Sequence, residues 1–269
     1  MSEAFNKAYG HTLPASLNVE VRDRVAIIRI SRPEKRNAIN DETLFALERL
    51  FANMPPEIGC AIIHGEGGNF SAGLDLSEVP ELDMMAAMDK SHSWHRALKS
   101  IEFGKVPLIA VLHGVTIGGG LELACSAHVR IAEQSAFYAL PEGQRGIFVG
   151  GGGSVRIPRL IGTSRMMEMM LTGRTYGAEE GKAIGLTHYV VEDGGGLDLA
   201  IDLAHKIVGN EPFTNFAVMN ILPRIAEAEP VTGYLLEAAI SAAASTNDAA
   251  KARMRAFLAK QHAKVEHHE

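Results

Sequence analysis

Short apolar runs and helix-like patterns alternate over the first two thirds of the chain. Residues 25–30, 60–63 and 108–112 are almost wholly apolar and are bounded by turn residues, so each predicts a strand buried on both faces. Residues 129–131 and 136–138 predict two further short strands. Because helical segments separate these runs, the pattern favours a mixed α/β core.

Two helices are predicted among these strands. The first begins after Asn40 or Asp41, either of which suits an N-cap. Its apolar residues recur at helical spacing: Leu44, Leu47, Leu50 and Phe51. The second is a long, Met-rich segment over residues 81–102.

The last part of the chain shows helical patterns alone. Three segments follow this pattern: 196–208, 213–228 and 233–264. Pro223 is expected to end or kink the second. Residues 245–248 offer an N-cap and are expected to break the third. We therefore predict an α/β (α+β) core over residues 1–195 and a helical C-terminal region over residues 196–269.

Composition narrows the class of function. The 269 residues are 46% hydrophobic, which suits one large domain, or one domain with an appendage. The net charge is −6 and no basic patch or stripe is present, so nucleic acid is not an expected partner.

The two cysteines and the absence of long apolar runs bear on location. Cys60 and Cys125 each adjoin apolar residues, which predicts buried, reduced thiols. The N-terminus has no apolar segment typical of a secretory signal, and no apolar run reaches the ~18 residues that span a bilayer. We expect a cytoplasmic protein without a membrane partner.

Two glycine runs carry the clearest chemical signal. Residues 68–76 and 113–123 each have the character of a glycine-bearing turn that leads into a helix, and such turns leave backbone N–H groups unpaired. Two facing turns of this kind can grip one negatively charged oxygen. Glu122 in the second run and Glu142 in the nearby Leu-Pro-Glu-Gly segment supply carboxylates. The combination suits acid–base chemistry next to a carbonyl group.

Simpler interpretations stay open for each motif alone. Either run can be a structural turn, Glu122 can be a carboxylate favoured by a helix dipole, and Glu142 can be a turn residue. Neither run fits the dinucleotide or Walker A pattern. Residues 150–153 lack the lysine of a phosphate loop, so they predict a close backbone approach that opens a helix.

Metal and serine-nucleophile chemistry have no sequence support. No histidine pair shows a zinc spacing, and His92 and His95, three residues apart on one predicted helix, match no metal motif. The Gly-x-Ser-x-Gly elbow of serine hydrolases is missing from the sequence. We therefore expect no metal site.

Taken together, the motifs resemble the crotonase (enoyl-CoA hydratase/isomerase) superfamily. The resemblance rests on residues 32–37, 70–76, 114–124 and 141–143, and it extends in order from about residue 20 to the C-terminus. It implies a spiral of ββα units followed by a helical trimerisation region. It also implies a homotrimer or a hexamer built as a dimer of trimers.

The resemblance implies roles for individual residues. The backbone N–H groups of Leu74 and Gly119 match the oxyanion-hole donors that bind the thioester oxygen. Glu122 and Glu142 match the two glutamates of the hydratases, which add water in a syn manner to a 2-enoyl-CoA. Gly150 matches the glycine that helps to position that water.

Binding of coenzyme A is implied for a further set of residues. These lie where the family meets the adenine, pantetheine and phosphate groups: Lys35, Arg36, Ala72 and Gly73. Coenzyme A is part of the substrate, so no separate cofactor is expected. The sequence departs from the family pattern at Ser77, where some hydratases carry a lysine, and at Phe148-Val149, near the acyl site.

Other activities of the same superfamily remain alternatives. An enoyl-CoA isomerase and an aromatic acyl-CoA hydratase-lyase use the same oxyanion hole, and a non-catalytic homologue would bind acyl-CoA without turnover. The pair of glutamates favours the hydratase. The acyl chain length, its branching and the pathway are left open by the sequence.

Overall fold

The computed structural model describes residues 13–78 and 81–259. The chain divides into two compact units, Met1–Val208 and Gly209–Glu269. The first unit contains both sheets and all the predicted site residues, and the second is helical.

The first unit is built on a six-stranded sheet with strand order β1-β2-β3-β4-β6-β9. β1 pairs with β2 in an antiparallel manner, and the remaining neighbours are parallel. Asp23 and Arg24 form the two-residue turn between β1 and β2, both with positive φ, as a type I′ turn requires. The strands are β1 Leu17–Arg22, β2 Val25–Ile30, β3 Cys60–Gly65, β4 Leu108–Leu112, β6 Val129–Glu133 and β9 Tyr189–Val191.

Both faces of this sheet are covered, which explains the uninterrupted apolar runs in the sequence. Ile27, Ile62 and Val111 lie on one face, in a cluster with Ala200 and Ala204. The neighbouring strand residues lie on the other face, in the main core beneath most of the helices. The strands predicted for residues 25–30, 60–63, 108–112 and 129–131 are confirmed.

The helices predicted after Asn40 or Asp41 and over residues 81–102 are present, at Asp41–Ala52 and Met84–Glu102, whereas those at Thr163–Thr172 and Ala178–Ile184 were not predicted. Asn40 is the N-cap of α1, and its side chain accepts a hydrogen bond from Thr43 N. The four apolar residues predicted to face inward from α1 are all buried. The helices are α1 Asp41–Ala52, α2 Met84–Glu102, α3 Gly119–Ala124, α4 Gly153–Ile161, α5 Thr163–Thr172, α6 Ala178–Ile184 and α7 Gly196–Val208.

Helix α7 packs on the six-stranded sheet through Ala200 and Ala204. We predicted the change from core to helical tail at residues 195 and 196. In the structure the first compact unit runs on to Val208, because the apolar face of α7 is needed to cover the sheet. The function of residues 196–269 as an oligomerisation region stays a prediction.

A small second sheet brings the two glycine runs together. Its strands are β5 Val115–Ile117, β7 Phe137–Ala139 and β8 Tyr176–Gly177. Ser71 forms a parallel bridge to Thr116 of β5, and Leu74 forms another to Ile39. The first glycine run therefore lies as an extended segment alongside the start of the second.

One local prediction was wrong. The second glycine run leads into α3, but the first leads only into a single 3-10 turn, Leu76–Glu78. The Asp75 side chain accepts hydrogen bonds from the backbone N and the hydroxyl of Ser77, and it also binds Arg32 and Lys35. These contacts hold the chain in a tight turn where a longer helix was expected.

The second unit contains four described helices: α8 Pro212–Asn220, α9 Leu222–Glu227, α10 Pro230–Thr246 and α11 Asp248–Leu258. Pro223 lies in the first turn of α9, so the predicted break falls just before it. Asn247 caps α11, as residues 245–248 indicated. The predicted residues 260–264 lie outside the described part of the chain. Among the described helices, none has the length and hydropathy needed to cross a membrane.

Asn37 locks the loop that precedes α1. It is fully buried, has a φ of 56°, accepts from Arg32 N and donates from Nδ2 to the carbonyls of Glu66 and Asn69. Alanine would leave these backbone groups unpaired and would tolerate the left-handed backbone less well.

We therefore expect Asn37→Ala to lower the free energy of unfolding by roughly 2–3 kcal/mol, measured by urea denaturation. Asn18→Ala, at an exposed position of β1, is the matched control and should change it by less than about 0.5 kcal/mol. Equal stability of the two variants would contradict the role assigned to Asn37.

Candidate active site

The predicted oxyanion-hole donors lie next to each other in the structure. In the parallel bridge to Ile39, Gly73 O and Asp75 N make the hydrogen bonds, which leaves the N–H of Leu74 on the opposite side. Gly119 is the first residue of α3, so its N–H has no partner within the helix. Neither N–H donates to another described residue. A pair of donors thus faces the same space.

Glycine is required where the two runs approach. A Cβ atom on Gly73, whose φ is 88°, would lie 2.8 Å from Gly119 N and 2.8 Å from Ile117 O. A Cβ atom on Gly118, whose φ is 52°, would lie 2.8 Å from Glu142 Oε1. Neither position has space for a side chain, so the glycines set the width of the gap between the runs.

Glu122 lies in the first turn of α3 and is 4% exposed. Its Oε1 accepts hydrogen bonds from Gly151 N at 2.8 Å and from Gly153 N at 2.7 Å. Burial raises the pKa of this carboxyl group, and the two N–H donors and the nearby Arg156 oppose the rise. The residue is therefore held in one orientation by backbone groups at the start of α4.

Residues 150–153 act as predicted, as a close backbone approach that opens a helix. A Cβ atom on Gly153 would lie 2.8 Å from Glu122 Oε1, and one on Gly151 would lie 3.0 Å from Glu122 Oε2. The glycines let the main chain reach the buried carboxylate directly.

Glu142 is also buried, at 6% exposed, and it precedes the 3-10 turn Gly143–Arg145. Its Oε2 has no hydrogen-bond partner among the described residues. Burial raises the pKa of Glu142, and the neighbouring charge of Glu122 raises it further. A turn residue without a function would have no reason to keep an unpaired carboxyl oxygen buried.

Two adjoining cavities join these groups. The smaller, about 60 Å³, is lined by both glutamates together with Ala72, Leu74, Gly119 and Gly150. The larger, about 180 Å³, shares Leu74, Gly119, Glu122 and Gly150 with the first and extends to α2. The structure therefore brings the two donors, both carboxyl groups and Gly150 to one place.

The residues predicted to bind coenzyme A are arranged differently. Ala72 lines the smaller cavity, whereas Gly73 accepts from Ile39 N and packs against Gly119. Arg36 is exposed, and its carbonyl accepts from Ala72 N. These four assignments stay predictions.

Lys35 is tied to the rim of the first glycine run. Its Nζ lies 3.0 Å from Asp75 Oδ2 and 2.8 Å from Ser77 Oγ. Burial alone would raise the pKa of Asp75, but hydrogen bonds from Ser77, Lys35 and Arg32 outweigh it and lower the pKa. The ammonium of Lys35 therefore lies beside Ser77, the position where some hydratases carry a lysine.

Several residues of the site carried no sequence signal. Trp94 and Ser91 of α2 line the larger cavity, where a Cβ atom on Gly119 would lie 2.9 Å from the Trp94 ring. Leu82 and Lys90 line it as well. The Met-rich pattern predicted the helix but not which of its residues face the site, because the partner glycines lie far along the chain.

An arrangement of two neighbouring N–H donors beside two buried carboxyl groups suits proton transfer next to a carbonyl oxygen. The sequence from residue 20 to residue 268 matches the enoyl-CoA hydratase/isomerase family. The chain belongs to this family, which confirms the resemblance found in the sequence.

Relatives cover nearly the whole chain. A short-chain enoyl-CoA hydratase of Clostridium acetobutylicum is 29% identical over 90% of this chain and 94% of its own length. Enoyl-CoA hydratase EchA19 of Mycobacterium tuberculosis is 34% identical over 90% of this chain and 93% of its own length.

A solved structure from Rhodopseudomonas palustris CGA009, named as a candidate enoyl-CoA hydratase, is 51% identical with a TM-score of 0.90. It covers 92% of this chain and 96% of its own. The predicted fold class is thus confirmed, and the C-terminal helices are present.

The raised pKa of Glu142 can be tested through the pH dependence of the free energy of unfolding. A carboxyl group whose pKa is raised by folding favours the folded state below its unfolded pKa, about 4.3 for Glu, and loses that contribution as pH rises through its folded value. Glutamine carries no charge to bury at any pH. We expect Glu142→Gln to be more stable than the wild type at pH 8, by roughly 0.5–2 kcal/mol, with the difference vanishing near pH 4.

Urea denaturation at both pH values measures this difference. Glu57→Gln, at an exposed position, is the control and should show no such pH-dependent gain. A Glu142→Gln protein that is less stable than the wild type at pH 8 would contradict the raised pKa assigned to Glu142.

Proposed function

We propose that the protein adds water in a syn manner across the double bond of a 2-enoyl-CoA thioester. The observation that carries this proposal is the pair of buried glutamates lining one small cavity beside two N–H groups that donate to no other described residue. The named relatives support it, since hydratases occur among both the sequence relatives and the structural neighbours.

The donors act on the thioester oxygen. As the bond between the thioester carbon and the α-carbon gains double-bond character, negative charge develops on this oxygen. The N–H groups of Leu74 and Gly119 stabilise that charge, a contribution typically worth ~10²–10³ in rate per donor. Because the bridges to Ile39 and Thr116 hold the first segment against the second, the donors need no rearrangement during the reaction.

The two glutamates divide the proton transfers. Glu122 accepts two N–H bonds and has Arg156 nearby, so its ionised form is better supported than that of Glu142. We assign Glu122 as the base that takes a proton from water while the water oxygen bonds to the β-carbon. Glu142, whose Oε2 lacks a donor among the described residues, gives its proton to the α-carbon. The negative charge thus moves from Glu122 to Glu142. Proton exchange with water then returns both carboxyl groups to their starting protonation states.

Gly150 and the larger cavity complete the proposed substrate site. Gly150 lines both cavities and is assigned to position the water. The larger cavity, walled by Leu82, Trp94 and Phe148, receives the acyl group. Lys35, Arg36, Ala72 and Gly73 are assigned to coenzyme A, and no cofactor is needed because this group arrives with the substrate.

Removing either carboxylate tests the mechanism. We expect Glu122→Gln and Glu142→Gln each to lose on the order of 10²–10⁴-fold in kcat with crotonyl-CoA, followed at the enoyl thioester absorbance. Glu57→Gln should keep wild-type activity and shows that the substitution type alone has no effect.

A panel of acyl-CoA substrates separates the alternatives. Double-bond migration without hydration would indicate an isomerase, and cleavage of an aromatic acyl chain would indicate a hydratase-lyase. Tight acyl-CoA binding with no turnover of any substrate would contradict an enzymatic function.

We further propose that the protein assembles as a homotrimer or as a hexamer, through its C-terminal helices. Val231, Tyr234 and Leu235 lie on one face of α10, spaced three and four residues apart, and each is at least 70% exposed. A contiguous exposed apolar surface of this kind marks a protein contact. With both thiols buried and unpaired, we keep a cytoplasmic location as part of the proposal.

Light scattering coupled to size exclusion tests the assembly. The wild type is expected at three or six times the 28.9 kDa chain mass. Leu235→Glu should shift the population towards smaller species, whereas Glu237→Lys, two residues away and also exposed, should not. A monomer mass for the wild type at micromolar concentration would contradict this part of the proposal.

A further inference from the structure

Ser91 contacts the glycine turn that binds Glu122. It lies on α2 and lines the larger cavity, and its Oγ donates a hydrogen bond to Gly150 O at 2.7 Å. His95 Nε2 lies 3.4 Å from Ser91 Oγ. The hydroxyl is therefore held between its own helix and the glycine turn that precedes α4.

The carbonyl of Gly150 and the N–H of Gly151 belong to one peptide unit. This unit is planar and trans, so its C=O and N–H point in opposite directions. Ser91 binds the oxygen end, and the N–H end donates to Glu122 Oε1 at 2.8 Å. A rotation of the peptide plane would break both hydrogen bonds together.

The next carbonyl is also held by a side chain. Arg156, whose side chain is 7% exposed, donates from Nη1 to Gly151 O at 2.8 Å and from Nε to Glu102 Oε2 at 2.7 Å. Glu102 is the last residue of α2. Side chains from α2 and α4 thus hold two successive carbonyls, and the N–H of Gly151 is left to face Glu122.

We propose that Ser91 is a positioning residue for Glu122, and that it acts through the single peptide unit between Gly150 and Gly151. Its hydroxyl orients this unit and polarises it, which strengthens the N–H bond to the carboxylate. The proposal rests on the proposed function, in which Glu122 is the base that activates water. Ser91 itself does not exchange a proton with the substrate.

The charged and titratable groups around Glu122 determine how its titration responds. Glu142 faces it across the smaller cavity, Arg156 approaches from α4, and Cys125 directly follows α3. On α2, Lys90 lines the larger cavity and pairs with Asp41. Burial and the nearby Arg156 lower the pKa of His95, and a hydrogen bond to the Gly150 backbone opposes this shift. Among these groups, the Ser91 hydroxyl contacts His95, and removing it takes away that contact while the side chains of the other groups are unchanged.

Removing the hydroxyl should affect kcat and the pH profile together. A less well oriented Glu122 should lower kcat by about 10–100-fold, the usual effect of a small misplacement of a catalytic group. A weaker N–H donor supports the ionised carboxylate less well, so the acidic limb of kcat/KM should move to higher pH, by about 0.5–1 pH unit. KM for crotonyl-CoA should change little.

The experiment compares Ser91→Ala, Ser91→Thr and Ser93→Ala with the wild type. Ser91→Thr keeps the hydroxyl and should restore most of the lost kcat and return the acidic limb towards its original pH. Ser93 is the matched control, since it is a buried serine of the same helix whose Oγ donates to Lys90 O, and Ser93→Ala should keep the wild-type profile. Circular dichroism confirms folding of each variant.

Three results would overturn the proposal. The first is a Ser91→Ala protein with the kcat and pH profile of Ser93→Ala. The second is a loss confined to KM, which would make Ser91 only part of the cavity wall. The third is a folded Ser91→Thr protein as impaired as Ser91→Ala. Retained activity in Glu122→Gln would instead refute the proposed function, so the two failures are distinguishable.

Discussion

Two backbone segments distant in sequence pass so closely that no side chain fits between them, and this contact determines the geometry of the candidate active site. Gly73 packs on the backbone of Gly119, and the bridges to Ile39 and Thr116 hold the first segment in place. The contact aims two peptide N–H groups at one point. The contact depends on glycine, since the φ values of 88° at Gly73 and 52° at Gly118 suit residues without a Cβ atom.

Burial of two carboxyl groups beside these donors is the second constraint. Glu122 receives two backbone donors, and Arg156 lies nearby, whereas Glu142 keeps one oxygen unpaired among the described residues. Burial raises the pKa of both groups. In the proposed mechanism their unequal hydrogen bonding makes Glu122 the base and Glu142 the acid, and burying both groups has a cost in stability that other parts of the first unit offset.

Helix α2 lines the larger cavity and also contacts the backbone that binds Glu122. Trp94 packs against Gly119 and Gly151, Ser91 holds the Gly150 carbonyl, and Glu102 holds Arg156. The same helix therefore lines the cavity proposed for the acyl group and supports the backbone that orients Glu122. Substitutions on its inner face are expected to alter substrate choice and catalytic rate together, since both depend on the same contacts.

Local patterns in the sequence were sufficient for most of the secondary structure. The apolar runs of residues 25–30 and 108–112 identified strands buried on both faces, because such signals depend on neighbours a few residues apart. For the same reason, Asn40 or Asp41 and residues 245–248 marked helix starts, where the structure has Asn40 and Asn247 as N-caps. Strands β1, β5, β8 and β9 were missed, since short strands at an edge or in a small sheet are defined by partners far along the chain.

The same distinction applies to the site. The sequence by itself determined that two glycine runs and two glutamates belong together, because the motifs and their order are characteristic of one family. Only the tertiary structure decided that Lys35 is tied to Asp75 and Ser77, that α7 covers the core sheet, and that Ser91 and Arg156 hold the turn bound to Glu122. Each of these contacts joins residues separated by many positions or depends on a side-chain direction, and neither property is encoded in a local pattern.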